Sequence, residues 1–126
     1  MNKSTLLIGT IFAMAVLLSA SIIPSAEAMR VTERDPSTGI KMSCAITNQD
    51  KLKCYIFSKS GLYSVEVLLP SGESPTVGLD CKKNVRPQFD AVVGDSFLFF
   101  VNGCNELGTV FSVDLVGEGI IELKIL

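Results

Sequence analysis

Four cysteines, at positions 44, 54, 81 and 104, carry the most distinctive chemistry in this chain. Zinc sites usually place cysteines in pairs two to four residues apart and often add histidine. Here the successive gaps are 10, 27 and 23 positions, and the chain contains no histidine. A redox-active pair would need a thiol of lowered pKa, typically in a C-x-x-C motif, and no such motif occurs. The spacing therefore predicts two disulfides, made by Cys44, Cys54, Cys81 and Cys104, and no metal site.

The carboxylates are numerous but scattered along the sequence. Paired carboxylates can perform acid–base or glycosidase chemistry, and a calcium loop would need closely spaced Asp or Asn ligands. The segment 35–39 contains a single acid, Asp35, which is typical of a turn. Without histidine, Ser-His-Asp and Cys-His arrangements cannot be built. We expect no catalytic residue and no cofactor, and we treat five acids as ordinary surface or turn residues: Glu66, Asp90, Asp95, Asp114 and Glu122.

The first 28 residues have the pattern of a secretory signal peptide. Lys3 precedes an apolar stretch at 6–18, and Ser25-Ala26-Glu27-Ala28 supplies a small-x-small cleavage site. The alternative is a retained signal anchor, because residues 5–23 are uncharged and long enough to span a bilayer. Cleavage is favoured by Pro24 and the Ala-Glu-Ala site. Export would place the cysteines in an oxidising compartment, where disulfides persist, so we predict a secreted or cell-surface protein.

Residues 29–126 are then one small domain of 98 residues (126 minus 28). Without Lys3 and Glu27 this segment keeps 10 basic and 12 acidic residues, a net charge of −2. The densest basic spot is Lys82-Lys83. Nucleic-acid binding needs many phosphate contacts, so we predict no nucleic-acid partner, and contact with a membrane only through an uncleaved leader.

Short runs of Val, Ile, Phe, Tyr and Leu alternate with turn residues every 8 to 12 positions, which predicts a single antiparallel β-sandwich of seven or eight strands. Residues 97–101 are apolar in both phases, which predicts a central strand covered on both sides. The longest irregular stretch is predicted at 81–88. Period-two alternation predicts two sets of residues whose members share one face of a strand. These are Ile40, Met42, Cys44 and Ile46, and Tyr63, Val65, Val67 and Leu69.

The register of one hairpin predicts the disulfide pairing. If Asn48-Gln49-Asp50 is the hairpin tip, positions that sum to 98 face each other, and Cys44 lies opposite Cys54. Directly opposed residues are close enough for a disulfide, which leaves Cys81 to pair with Cys104. If Cys54 points inward, Tyr55 and Phe57 point outward and form an exposed aromatic face, whereas core packing of these rings is the alternative.

Several stretches together resemble the carboxypeptidase regulatory-like, transthyretin-like β-sandwich family. They are residues 31–39, 42–46 and 60–67, followed by 94–103 and 119–125, which look like the end of such modules in surface proteins. Cys44 stands where the family usually has glycine, and Lys41-Met42 replaces its customary proline. The resemblance implies a non-catalytic accessory, adhesive or structural module, and it supplies no ligand residues.

The sequence therefore favours a secreted non-catalytic binding or structural module with a protein or surface polymer as partner. One alternative is a subunit of an extracellular fibre that assembles by β-strand addition through its apolar C-terminal strand, as a homo-oligomer. Another is a small secreted inhibitor or ligand-binding protein that uses a loop at 70–78 or 81–88. Enzymatic activity is not expected.

Overall fold

The structure is a computed structural model, and it describes residues 30–104 and 107–126. The predicted signal peptide (1–28) and Met29 lie outside the described residues. The described part of the chain is all-β: it contains no helix, and hence none long and apolar enough to cross a membrane. All strand pairs are antiparallel. The described residues form eight strands: β1 Val31–Arg34, β2 Lys41–Ile46, β3 Lys51–Leu68, β4 Thr76–Val85, β5 Gln88–Asp90, β6 Ser96–Gly103, β7 Thr109–Gly117 and β8 Ile120–Ile125.

The 18-residue strand β3 belongs to both layers of the fold. On one side its first half pairs with β2 and its second half with β6. On its other side it pairs with β4 and β5. The first sheet therefore contains β1, β2, the start of β3, the end of β4, and β5. The second contains the start of β4, the end of β3, β6, β7 and β8. The predicted antiparallel all-β class is confirmed, with two layers consistent with a sandwich.

The β2–β3 hairpin has the predicted register, because every pair from Lys41–Phe57 to Ile46–Leu52 sums to 98. The Thr47 amide donates to the Lys51 carbonyl at 2.8 Å, and Asp50 has φ 59°. A type I turn followed by a left-handed residue is a common way to close a three-residue hairpin loop, and Asp tolerates that conformation.

The prediction that Tyr63 shares a face with Val65 and Val67 is wrong. The register shifts between Leu62 and Ser64, so Leu62 is buried and Tyr63 is 57% exposed. The shift follows a bend at Gly61, whose φ is +87°. A Cβ at Gly61 would lie 2.7 Å from the Cys81 carbonyl oxygen, so the close approach of β4 also requires glycine there.

Two further predictions need correction. In β6, Phe97, Phe99 and Val101 are buried, whereas Leu98 and Phe100 are only half-buried on the outer face. β6 is therefore central in its sheet but covered on one side only. The stretch predicted to be irregular, 81–88, is mostly strand, because β4 continues to Val85 and β5 begins at Gln88. Bulges in the β3–β4 ladder let the charged segment stay paired.

The core lies between the two sheets and contains buried side chains from both. Cys44 and Cys54 sit in it, beside apolar residues of the first sheet. The second sheet supplies three buried aromatic rings to the same cluster. Burial of large apolar side chains is the main favourable term in folding. The largest fully buried side chains are Phe97, Phe99, Phe111, Ile40, Met42, Leu52, Ile56, Leu62, Val65, Val67, Val101 and Val113.

Candidate functional site

The first disulfide lies inside the sandwich, beneath the outer face of the first sheet. Cys44 and Cys54 are register partners with Cα atoms 4.1 Å apart, and they are 0% and 1% exposed. The Cys54 amide donates to the Pro87 carbonyl on the opposite side of β3. The pair is therefore of the non-hydrogen-bonded type, in which opposed Cα atoms are closest. This is the pairing that the hairpin register predicts.

The second disulfide joins the middle of β4 to the residue that directly follows β6. Cys81 and Cys104 are bonded, with Cα atoms 5.5 Å apart, as the sequence analysis predicted. Cys81 is exposed and has φ 43°, whereas Cys104 is half-buried. No free cysteine is found in the described residues. Two disulfides in so small a domain are compatible with an extracellular location.

A groove of about 330 Å³ runs across the outer face of the first sheet, and we call it the basic groove. Its lining comes from Arg30 just before β1, from β1, β2 and β3, and from the β4–β5 connection. The side chains on its walls include four cations, and those on its floor include two hydroxyls. The lining residues are Arg30, Thr32, Lys41, Ser43, Lys53, Cys54, Tyr55 and Arg86.

The floor of the basic groove is a line of polar side chains that crosses three strands. Thr32 is the register partner of Ser43, which in turn faces Tyr55. The Thr32 and Ser43 hydroxyls lie 2.8 Å apart, and the Arg30 guanidinium donates to Ser43 Oγ at 3.3 Å. Ser43 is only 7% exposed although it points out of the sheet, because the long side chains around it form the walls.

The cations of the basic groove form no ion pair with any acidic side chain that the structure describes. The ion pairs found among the side chains that the structure describes join Lys51 to Asp90 and Lys124 to Glu122. Neither pair includes a groove residue. The groove lining has no carboxylate, so four positive charges converge on one concavity of a chain whose formal net charge is −2. Concavities lined by one sign of charge concentrate ligands of the opposite sign.

Aromatic rings support two of these cations. The Arg86 guanidinium lies 5.1 Å from the Tyr55 ring centre, and Lys41 Nζ lies 5.9 Å from that of Phe57. The two rings are nearly parallel, with centres 6.5 Å apart. Cation–π contacts of this kind restrain the cation. The predicted aromatic face does point outward, opposite the buried Cys54, but its rings are half-buried because the cations cover them.

Two of the five candidate carboxylates, Asp114 and Glu122, are brought together as register partners on adjacent strands. Asp90 pairs with Lys51, Asp95 accepts from the Val92 amide, and Asp114 accepts from Ser96 and Ser112. Glu122 faces Asp114 across β7 and β8, and Glu66 is exposed on the same sheet. In the part of the chain that the structure describes, no three metal-binding side chains come together.

Asp35 anchors the turn that precedes β2. Its carboxylate accepts a hydrogen bond from Thr109 at 2.7 Å and two more from the Ser37 amide and hydroxyl. These bonds lower the pKa of Asp35 from 3.8 to about 2, and the bond from Thr109 makes the largest contribution. The Thr109 hydroxyl also meets Thr38 at 2.7 Å. The segment 35–39 is thus the turn that its sequence predicts, tied to the start of β7.

Sequence reasoning missed the basic groove as a site. Arg30 and Arg86 lie far apart in the chain, and neither belongs to a basic run. One feature of the sequence could have indicated the groove. The hairpin positions that alternate with Cys44 and Cys54 point outward, and they include Lys41, Lys53 and Tyr55.

Comparison of this chain with protein-family models, curated proteins and solved structures gives no significant match. The carboxypeptidase regulatory-like resemblance therefore stays a prediction, and the functional argument depends on the site itself.

Proposed function

We propose that this protein is a secreted, non-catalytic binding module whose ligand is anionic and binds in the basic groove. The observation that carries the proposal is the convergence of Arg30, Lys41, Lys53 and Arg86 on one hydroxyl-lined floor, with no carboxylate among the described lining residues. Unpaired cations in a concavity are expected to gain charge-assisted hydrogen bonds from a bound oxyanion.

The floor is fixed before any ligand arrives. The disulfide between Cys44 and Cys54 joins the two strands that carry Lys41, Ser43 and Lys53. Cation–π contacts restrain Lys41 and Arg86. A site that is ordered in the free protein loses less conformational entropy on binding, which favours affinity. This arrangement supports binding as the role of the face.

Location outside the cytoplasm completes the proposal. Residues 1–28 have the signal-peptide pattern, and both disulfides would persist in an oxidising compartment. We propose a partner on the cell surface or in the extracellular space.

The test is binding of the folded, oxidised domain 29–126 to the surface of its host cells, measured by fluorescence of labelled protein. We expect the charge-reversed variant Lys41→Glu/Lys53→Glu to lose binding. Lys124→Glu, an exposed cation on the other sheet, is the matched control and should bind as the wild type does. Circular dichroism and intact-mass analysis confirm fold and disulfides. Equal binding by the groove variant and the wild type would refute the proposal.

A second candidate function is a fibre subunit that assembles by strand addition. It is favoured by the two ends of the strand order, since β1 pairs only with β2 and β8 only with β7 among the described strands. Each end thus has one edge without a ladder partner, and because β1 and β8 lie beside each other, they would have to separate before a further strand could pair there. Sizing and electron microscopy of the secreted protein decide between the candidates: polymers that persist in high salt favour the fibre, and monomers favour the binding module.

A further inference from the structure

The two arginines of the basic groove are held at one place on its floor. The Arg30 guanidinium donates to Ser43 Oγ at 3.3 Å. The Arg86 guanidinium lies 5.1 Å from the ring centre of Tyr55. Ser43 and Tyr55 are register partners on β2 and β3, and neighbouring strands of a sheet lie about 4.8 Å apart. We call the floor around Ser43 and Tyr55 the central patch, and both guanidinium groups are anchored there.

The hydroxyls of the floor add a further donor at the central patch. The Thr32 and Ser43 hydroxyl oxygens lie 2.8 Å apart. When two hydroxyls bond to each other, one of their two protons is used in that bond, and the other is left to donate to a third group. The bond from Arg30 occupies an acceptor position of Ser43 and does not use that proton. Two guanidinium groups and one hydroxyl proton are therefore available to a ligand rich in acceptor oxygens.

Lys41 and Lys53 flank the central patch. Lys41 lies two residues before Ser43 on β2, and Lys53 lies two residues before Tyr55 on β3, so these side chains share one face of the hairpin. Because the strands are antiparallel, the two lysines lie on opposite sides of the Ser43–Tyr55 pair. A lysine is a flexible point charge, whereas an arginine presents a planar fork of donors. The lysines thus add charge around the patch, and the arginines set the geometry of binding.

This donor set suits a tetrahedral oxyanion better than a carboxylate. One bidentate arginine already uses both oxygens of a carboxylate. A phosphate ester has three strong acceptor oxygens and a charge of about −1.5 to −2 at pH 7. It can therefore accept from arginines on two sides and from a hydroxyl at the same time. The higher charge also matches a lining with four cations and no carboxylate among its described residues.

We infer that the central patch binds a compact tetrahedral oxyanion, phosphate or sulfate, between Arg30 and Arg86. This inference rests on the proposed function and names the class of its ligand. The volume of the basic groove, about 330 Å³, falls within the range of small-molecule sites. The oxyanion therefore has room to arrive as an ester on a larger molecule as well as a free ion, and both sources present the same oxygens to the same donors.

The experiment measures affinities of the oxidised domain 29–126 by calorimetry at constant ionic strength. The probes are inorganic phosphate, inorganic sulfate, glycerol phosphate, acetate, and heparin oligosaccharides of increasing length. We expect phosphate, sulfate or both to bind with a Kd of about 1 mM or tighter. Acetate should bind more weakly by about tenfold or more, because it cannot engage both arginines bidentately. Glycerol phosphate binding more tightly than inorganic phosphate assigns an esterified ligand, and equal binding assigns the free ion.

Arginine-to-lysine variants test the geometry while they keep the charge. Arg30→Lys and Arg86→Lys each lose a donor fork, and each should weaken the tighter of the two inorganic ions about tenfold. Lys53→Gln removes a flanking charge and should weaken it only about two- to threefold. Lys124→Gln, on the other sheet, is the control and should change nothing. Circular dichroism confirms the fold of each variant. If both arginine variants bind as the wild type does, the inference falls.

The failure of this inference and the failure of the proposed function are distinguishable. If acetate binds as tightly as phosphate and sulfate, or if heparin oligosaccharides bind while neither inorganic ion does, the oxyanion inference falls and the function of binding an anionic ligand stands. If no probe binds, the inference falls, and the cell-binding assay with Lys41→Glu/Lys53→Glu decides the function separately. If that variant also binds cells as the wild type does, both fall together.

Discussion

Removal of the buried disulfide should destabilise the protein more than removal of the exposed one, although the buried one closes the shorter loop. The sequence separations are 10 for Cys44–Cys54 and 23 for Cys81–Cys104. The chain-entropy relation assigns about 2.7 kcal/mol to the shorter loop and about 3.4 kcal/mol to the longer one. The loops do not overlap in sequence, so the two contributions are treated separately. On entropy alone, the exposed disulfide would matter more.

Burial reverses this order. Replacing Cys44 and Cys54 by alanine removes two sulfur atoms from positions that are 0% and 1% exposed. Each loss costs about 1 kcal/mol in transfer free energy, and the cavity left behind adds to it. The double variant Cys44→Ala/Cys54→Ala should therefore lose about 5 kcal/mol. Cys81→Ala/Cys104→Ala should lose about 3.4 kcal/mol, since the Cys81 side of that bridge is exposed.

Urea unfolding at neutral pH, followed by circular dichroism, measures both losses from the midpoint and the m-value. A volume control separates cavity from entropy: Cys44→Val/Cys54→Ala fills part of the space and should recover 1 kcal/mol or more relative to the double alanine variant. The reasoning is refuted if the two double alanine variants rank in the order of loop length, or if the valine variant recovers nothing.

Three other predictions follow from local geometry. Mild reductant should open Cys81–Cys104 before the buried disulfide, because a thiolate can reach the exposed sulfur; alkylation and mass mapping show the order, and equal rates would contradict it. The lowered pKa of Asp35, about 2 against 3.8, means that its stabilisation is present above pH 4 and is lost as the pH falls from about 4 through 2. Thermal melts of Asp35→Asn should lack that part of the acid dependence, and a variant with unchanged dependence would exclude Asp35 as its source. Gly61→Ala should cost about 1 to 3 kcal/mol, because φ is +87° and the new Cβ would lie 2.7 Å from a backbone oxygen. Gly39→Ala has a similar φ but open space around it, so a loss as large there would assign the cost to φ alone.

Local patterns predicted the parts of this fold that depend on neighbours in sequence. The Cys44–Cys54 pairing followed from one hairpin tip and a period of two, both of which are set within about a dozen residues. Tyr63 does not share the predicted face because the register shifts just after Gly61, where the Cys81 carbonyl approaches closely. Sequence spacing does not reveal that approach.

The basic groove depends on strand order, which local patterns do not determine. Arg30 reaches it only because β1 pairs with β2, and Arg86 only because the β4–β5 connection lies beside β3. No run of basic residues marks the site. The net charge of the chain follows from its composition. It does not show that cations gather on one face while carboxylates such as Asp90 lie elsewhere.

The shared strand β3 is expected to couple the unfolding of the two layers. It pairs with β2, β4, β5 and β6, so neither sheet can come apart without breaking ladders that the other needs. We expect this connection to disfavour states in which one layer is open and the other intact, in which amide hydrogens would exchange one layer at a time. A ligand in the basic groove touches only the first sheet. By lowering the population of the one open state, it would slow exchange in β6 and β7 as well, on the far side of the molecule.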